Sequence, residues 1–270
     1  MDEDHGLPIL NNSVSKAFAI LEFLANADSA KELVSICNAL KMNKSTTYRF
    51  LTTLESLGYV VQDRENNRYA LGSKVVWLAS RFLEAIDLLT IARPVLMQLR
   101  EETGETIHLA ILDHFEVVYI DKLDGKSYVR MASSVGNRTA VHSTGLGKAL
   151  FAYKPEDVWQ SYVEKVGLGR RTSNTITDPA VFFQELRLIR ERNYSIDNSE
   201  NEDGIRCVAL PIRDHTGKVV AAISITGWMI TMTPDRDLEL ATIGLKYASI
   251  LSAKLGYLQK ELVNVRDRNV

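Results

Sequence analysis

The sequence predicts an α+β protein of two domains that differ in size. Residues 13–74 read as three helices followed by a hairpin, whereas strand-like and helical stretches alternate beyond Gly104. A chain of 270 residues is long enough for two ordinary domains. We expect a tail over 1–12, a small domain over 13–74, a linker helix over 75–90, a larger domain over 91–262 and a tail over 263–270.

The composition is ordinary for a globular chain, with 46% hydrophobic residues, 24% charged residues and a net charge of −2. No apolar run approaches the roughly 20 residues that span a bilayer, and the acidic start does not resemble a secretory signal. Two distant cysteines, Cys37 and Cys207, suit a reducing compartment better than a disulfide framework. We therefore expect a cytoplasmic protein that contacts no membrane and needs no cofactor.

Helix start signals define the first domain. Ser13 or Ser15 can cap a first helix, a second helix covers residues 31–41, and Asn43 or Ser45 can cap a third. Two short strands, YVVQD and RYALG, then flank the polar turn RENN. The order helix–helix–helix–hairpin is typical of a winged helix-turn-helix.

The third helix has two different faces. Thr47, Phe50, Leu51, Leu54 and Leu57 recur at three- and four-residue spacing, which predicts a core-facing stripe. A helix fits the major groove with its first residues at base edges, and a hairpin wing lies along the backbone or the minor groove. The predicted DNA contacts are therefore Lys44, Ser45, Thr46, Tyr48 and Arg49 on the helix, with Arg64 and Arg68 on the hairpin.

Local charge gives this prediction limited support. Residues 41–74 hold six Lys or Arg and three Asp or Glu, a net +3, whereas residues 1–75 hold eight against nine, a net −1. The alternative is a small helical bundle whose polar face meets only water. The short turn before the third helix, the polar cluster at its start and the hairpin favour double-stranded DNA as the partner.

The remaining chain predicts linker helices and an α/β domain. Residues 73–103 hold two helices, broken near Ala85–Leu88 or before Pro94, whose apolar content indicates a face buried against a neighbouring domain or a second subunit. Strand-like runs follow at TIHLAILD, EVVYIDKL and SYVRMAS, and RCVALPIRD with KVVAAISITG predicts a hairpin around HTG. A long closing helix begins at PDRDLELATIG.

The segment HSTGLGKALFA indicates an anion site. Ser143 or Thr144 can cap a helix, and Gly145 and Gly147 leave its first amides uncovered, which suits a carboxylate or phosphate. The alternative is a plain glycine-softened turn. Further on, two hydroxyl residues share one strand face inside the apolar run VVAAISITG, which favours a polar pocket.

The chain resembles the IclR family of bacterial transcriptional regulators over nearly its whole length. The resemblance is carried by SVSKAFAILEFL, NKSTTYRFLTTLESLGYV and RYALG, then by GETIHLAILD, HSTGLGKALFA, DNSENEDGIRCVALPIRD and VVAAISITG. Its details are similar to family members that respond to sugar acids. The resemblance implies a GAF-like effector-binding domain, a homodimer or homotetramer on a palindromic operator, and control of nearby catabolic genes.

The resemblance also implies the residues of the effector pocket. Backbone amides at Gly145 and Leu146 hold a small carboxylate; the polar ligands are Asp197, Cys207, Ser224 and Thr226; the apolar wall is Met131 and Ile205, with Tyr128 and Thr139 as further members. Alternatively, Cys207 is simple core and Asp197 caps a turn. Arg130 either balances the charge of the acid or is solvated. The implied function is a repressor whose operator affinity changes with a sugar-acid or keto-acid effector, and a ligand-responsive activator is the alternative.

Two other functions are alternatives to a ligand-responsive transcriptional regulator. An enzyme is disfavoured, because HSTG is not the strained elbow of a serine hydrolase and no second histidine stands at fixed spacing. A metal between His108 and His142 stays open as a lesser alternative. A sensor with a degenerate DNA-binding domain is disfavoured by the intact cluster from Lys44 to Arg49.

Overall fold

The computed structural model describes residues 11–85, 87–126 and 132–258. Its contacts divide the chain into two compact units, Met1–Ile86 and Asp87–Val270. Over the described ranges, no helix is long and apolar enough to cross a membrane.

The first unit follows the predicted order of three helices and a hairpin. Its elements are α1 (Asn12–Ala25), β1 (Lys31–Glu32), α2 (Leu33–Leu40), α3 (Lys44–Ser56), β2 (Val60–Gln62), β3 (Arg68–Leu71) and α4 (Lys74–Ala85). The strands form an antiparallel sheet in the order β1-β3-β2. The β2–β3 hairpin is therefore extended to a three-stranded sheet by β1, which precedes α2.

Two local expectations in this unit are wrong. The first helix is capped by Asn11 rather than by Ser13 or Ser15, because the Asn11 side chain accepts from the Ser13 and Val14 amides and both serines lie inside α1. Residues 31–32 belong to β1 and not to the second helix, because they pair with β3.

The core of the first unit is small and centred on three helices. Its buried members are Ile20, Leu24, Ile36, Leu51, Leu54, Val60 and Tyr69, and Thr47 is also buried. Leu57, a predicted core residue, is 49% exposed because it follows the last residue of α3 as the C-cap. The remaining predicted residue of that stripe, Phe50, is half-buried against the core.

The second unit is a six-stranded antiparallel sheet flanked by helices. Its elements are α5 (Leu88–Thr103), β4 (Thr106–Asp113), β5 (Glu116–Leu123), β6 (Arg138–Ala140), α6 (Gly145–Phe151), α7 (Glu156–Lys165), α8 (Pro179–Arg192), β7 (Ser195–Asn198), β8 (Ile205–Arg213), β9 (Val219–Trp228), a 3₁₀ turn (Pro234–Arg236) and α9 (Asp237–Lys254). The strand order is β6-β5-β4-β9-β8-β7. The helix break lies between α4 and α5, and Pro94 lies inside α5.

Adjacent residues of β8 contact helices on opposite faces of this sheet. A Cβ on Gly145 of α6 would lie 3.4 Å from the Ala209 side chain, and a Cβ on Gly244 of α9 would lie 2.5 Å from the Leu210 side chain. On the α6 side, an aromatic core of Phe151, Trp159, Tyr162 and Phe182 is fully buried. Helix α6 is thus packed between the sheet and α8.

The β4–β5 ladder contains a bulge. Leu109 pairs with Asp121, whereas Ala110 pairs with Tyr119, so Ile120 is an extra residue in β5. The shift places Tyr119 on the same sheet face as His108. Of the predicted strand SYVRMAS, residues 127–131 lie outside the described residues.

Candidate DNA-binding surface and effector cavity

The start of α3 is held by one asparagine. The Asn43 side chain accepts from the Thr46 amide at 2.8 Å and from Ser45 Oγ at 3.1 Å. Thr47 is buried and its Oγ1 donates to the Asn43 carbonyl at 3.0 Å. The cap fixes the first turn of α3, which is the turn that would meet base edges.

The predicted contact residues of α3 lie on its outer surface. Lys44, Ser45, Tyr48 and Arg49 are exposed, and Thr46 is half-buried beside the cap. Among the described residues, Lys44, Arg49 and the hairpin residue Arg64 make no ion pair. Their charges are therefore available to phosphates or base edges without the loss of an internal salt bridge.

The second hairpin arginine has a partner. Arg68 is exposed, but one of its terminal nitrogens lies 3.2 Å from Glu32 Oε1. Glu32 reaches it because β1 pairs with β3. Sequence reasoning missed this pair, because β1 has only two residues and shows no strand pattern of its own.

A stripe of polar side chains crosses four strands of the second unit. Asp197 lies opposite Cys207, Cys207 opposite Thr226, and Ser224 opposite His108. Directly paired residues share a face, and positions two apart on a strand also do. The four strands therefore present these five side chains on the face that α6 covers.

The start of α6 faces this stripe. Thr144 caps the helix: its Oγ1 accepts from the Gly147 amide at 3.1 Å and donates to the Ala140 carbonyl at 2.7 Å. The amides of Gly145 and Leu146 have no acceptor among the described residues. Gly147 serves packing, because a Cβ there would lie 2.3 Å from the Val141 carbonyl oxygen.

The stripe and the helix start enclose a cavity of about 60 Å³. Of the sequence-predicted effector residues, the structure places these on its wall: Gly145, Leu146, Asp197, Ile205, Cys207, Ser224 and Thr226. Met131 and Tyr128, like Arg130, lie outside the described residues. Thr139 borders a neighbouring cavity and bonds to Asn201 at 3.4 Å. The wall also contains residues that were not assigned to it: His108, Tyr119, Ala132, Ser133, Thr144, Asn201 and Glu202.

Burial controls the protonation of the cavity. It raises the pKa of Asp197 to about 7, an effect that Lys148 opposes and Glu200 reinforces. It also raises the pKa of Cys207, whose thiol donates to Asp197 Oδ2 at 3.7 Å. Burial lowers the pKa of His108 to about 4, so the imidazole is neutral at physiological pH.

A buried ion pair stabilises the part of the cavity wall that carries Asp197. Lys148 Nζ donates to Glu200 Oε1 at 2.6 Å, to Oε2 at 2.7 Å and to the Ile196 carbonyl at 2.6 Å. The Glu200 amide in turn donates to Asp197 Oδ1 at 2.7 Å. The pair thereby ties α6 to the segment that carries Asp197.

The two histidines considered for a metal have different partners. His108 is bonded to hydroxyls of the cavity, whereas His142 bonds to the Tyr162 hydroxyl at 2.8 Å and to the Gly169 carbonyl at 2.9 Å. In the described part of the chain, no group of three or more His, Cys, Asp or Glu residues could hold a metal ion.

Comparison with known families decides the identity. Residues 13–64 match the IclR helix-turn-helix domain, and residues 80–253 match the C-terminal domain of the bacterial transcriptional regulator IclR. The chain belongs to the IclR family. It is therefore a DNA-binding transcriptional regulator rather than an enzyme, as the sequence predicted.

Similar IclR-family proteins match at least 90% of this chain. The HTH-type transcriptional regulator KdgR of Escherichia coli K12 is 37% identical over 91% of this chain and 93% of its own length. The transcriptional repressor IclR of the same organism is 32% identical over 90% of each chain. The crystal structure of Thermotoga maritima IclR is 37% identical, with a TM-score of 0.61, and covers 91% of this chain and 99% of that one.

Proposed function

We propose that this IclR-family regulator is a repressor of catabolic genes, and that a small sugar acid or keto acid in the cavity changes its affinity for the operator. The observation that carries the proposal is the cavity itself. Two amides of α6 that have no acceptor within the described part of the chain face a carboxyl, a thiol and two hydroxyls on the opposite wall. Relatives include a named transcriptional repressor and an acetate operon repressor, which supports repression.

The chemistry of the cavity suits an oxygen-rich acid. The amides of Gly145 and Leu146 can donate to a carboxylate, and the hydroxyls of Ser224 and Thr226 can bond a keto or hydroxyl oxygen. Asp197 is partly protonated near pH 7, so it repels an anion less than an ordinary aspartate would. The cavity of about 60 Å³ favours a small metabolite.

The proposed DNA contacts lie on α3 and on the β2–β3 hairpin. Lys44, Ser45, Thr46, Tyr48 and Arg49 would contact the major groove, and Arg64 and Arg68 the backbone or minor groove. Helix α4 adds an argument for a homodimer or homotetramer on a palindromic operator, because Val76 and Trp77 are more than half exposed. We assign DNA binding to residues 13–74, linkage to 75–90 and effector binding to 91–262.

Effector binding can reach the DNA only if the acid prefers one arrangement of the assembly. We propose that occupation of the cavity changes how subunits pair, and with it the spacing of two recognition helices on the operator. Ligand-dependent oligomeric state, measured by light scattering, tests this step.

The decisive experiment is operator binding with and without candidate acids. Purified protein is titrated against its own upstream promoter by fluorescence anisotropy, and a panel of sugar acids and 2-keto acids is screened for a change in Kd. Release of the promoter by one acid supports the proposal. Tightening would indicate an activator or co-repressor mechanism, and indifference to the promoter under all conditions would contradict the whole proposal.

A further inference from the structure

A buried imidazole forms part of the cavity wall that family resemblance did not assign. His108 is 3% exposed and lies directly opposite Ser224. Its Nδ1 lies 3.3 Å from Ser224 Oγ and 3.4 Å from Thr226 Oγ1, and the two hydroxyl oxygens are 3.0 Å apart. Its Nε2 lies 2.8 Å from Ser133 Oγ. The imidazole thus joins a chain of hydroxyls that ends on the cavity wall.

The proton of the neutral imidazole sets the direction of this chain. When Nε2 carries the proton, Nδ1 accepts a hydrogen bond from the hydroxyl pair. Both hydroxyl protons are then used inside this chain of hydrogen bonds, and the hydroxyl at the cavity end offers only lone pairs to a ligand. When Nδ1 carries the proton, it donates to the pair, and the last hydroxyl proton is free to point into the cavity. No heavy atom has to move between the two arrangements, and Ser133 can either accept from Nε2 or donate to it.

We propose that His108 is a specificity-determining residue of the effector cavity, which adapts the Ser224–Thr226 hydroxyl pair to an oxygen on the carbon next to the effector's carboxylate. The chain can donate to a keto group in one tautomer and accept from a hydroxyl in the other. The α6 amides and the Ser224–Thr226 pair line the same small cavity, so one short acid can contact both. The ligand class is therefore 2-keto and 2-hydroxy acids, and unsubstituted acids are rejected; this inference rests on the proposed function.

A rejected ligand leaves polar atoms of the wall without a partner. An unsubstituted acid would bury the Thr226 end of the chain against a methylene group, and a buried polar group left without a partner weakens binding by about tenfold or more. Sites built to bond an oxygen of the ligand discriminate strongly against the analogue that lacks it. Selectivity between matched acids is therefore the property to measure, rather than affinity for any single acid.

Calorimetry with three acids of one carbon skeleton tests the assignment. We expect 2-oxobutyrate and 2-hydroxybutyrate to bind wild type within about tenfold of each other, and both at least about tenfold more tightly than butyrate. In His108→Phe the preference over butyrate should fall below about threefold. His108→Asn should restore it, because an amide at Cγ reaches the position of Nδ1, whereas His108→Gln extends toward Ser133 and should not.

The control variant is His142→Phe, because His142 is also buried but does not border this cavity. It should keep the wild-type preference, and thermal unfolding of each variant verifies the fold. Acids that bind wild type without discrimination, or a His108→Phe variant that keeps the preference, would overturn this inference alone. Wild type that binds none of these acids and no sugar acid would overturn the proposed function and this inference with it.

Discussion

Arg49 and Arg68 are both exposed, but only Arg68 is held in an ion pair among the described residues. We expect Arg49→Ala to weaken specific operator binding by about 1–3 kcal/mol, because a recognition-helix arginine can bond a guanine bidentately. Arg68→Ala should cost less than about 1 kcal/mol, because its guanidinium already has a carboxylate partner. Anisotropy titrations give both numbers, and equal losses would contradict the distinction.

Asp197 should make stability depend on pH. Burial raises its pKa from 3.8 to about 7, so the folded state retains this proton when the unfolded chain has lost it. The stabilising contribution is complete below pH 3.8 and is lost as the pH rises through about 7. Relative to Asp197→Asn, wild type should lose about 2–4 kcal/mol of unfolding free energy between pH 4 and pH 8.

Urea denaturation across that pH range measures the difference. The matched control is Asp203→Asn, which alters an exposed carboxyl of the same segment and should keep the wild-type pH dependence. Parallel slopes in wild type and Asp197→Asn would show that the carboxyl does not titrate as its burial indicates.

At the scale of single residues, the sequence alone predicts part of the cavity wall. The two-residue spacing of Ser224 and Thr226 predicts a shared face, and the glycines before Lys148 predict an uncovered helix start. His108 and Tyr119 could not be assigned, because their place on the wall depends on which strands pair and on a bulge. Pairing register between distant strands leaves no signal in one sequence.

Helix α6 depends on one close backbone approach. A Cβ at position 147 would lie 2.3 Å from the Val141 carbonyl oxygen, whereas one at position 145 would meet its nearest neighbour at 3.4 Å. We expect Gly147→Ala to destabilise the second unit by about 1–3 kcal/mol or more, because the Val141 backbone cannot yield as a side chain can. Gly145→Ala should retain the fold. Equal melting temperatures for the two variants would contradict this.

Removal of one partner of the Lys148–Glu200 ion pair should lower the free energy of unfolding. Both side chains are buried, with 1% and 8% exposure, so Lys148→Met leaves an uncompensated carboxylate and should cost about 3–5 kcal/mol. The double variant Lys148→Met with Glu200→Leu should recover part of that loss, because it removes the buried charge. Lys165→Met, at an exposed position, should stay within about 0.5 kcal/mol. A double variant that is less stable than Lys148→Met alone would contradict this explanation.

Among elements, the long periodic helices and the hairpins were predicted, whereas three short strands outside the hairpins were not. The helices α1, α2 and α3, the β2–β3 hairpin and the β8–β9 pair follow the predicted order. Strands β1, β6 and β7 have two to four residues, too few for a period-2 pattern, and they lack the polar turn that marks the equally short β2 and β3 as a hairpin. The cap at Asn11 was missed because serines inside the helix carry the same signal.

The two units of the molecule should respond to different ligands. Under the proposed function, an acid at about 100 times its Kd stabilises the second unit by about 2.7 kcal/mol, because it binds only the folded cavity. Operator DNA should protect the first unit in the same way. Hydrogen exchange measures both: acid should slow exchange in β8 and β9, and operator should slow exchange in α3. Acid-dependent protection confined to α1–α3 would exclude the cavity as the binding site.

For the whole molecule, the sequence predicted the α+β class and membership of the IclR family, and both are confirmed. The domain boundaries stay predictions, and so does the role of each effector residue. The identity of the acid lies beyond a single sequence, because backbone amides bind any carboxylate and hydroxyls accept either hydrogen-bond polarity.

The extra residue in β5 has a consequence for which deletions the sheet tolerates. Because Ile120 has no partner in β4, its loss would leave Leu109 opposite Asp121 and Ala110 opposite Tyr119 in a regular ladder, and every side chain of β5 would keep its face. A paralogue that lacks this residue would therefore keep Tyr119 beside His108, and the deletion would remove only the local bend and extra twist of the strand.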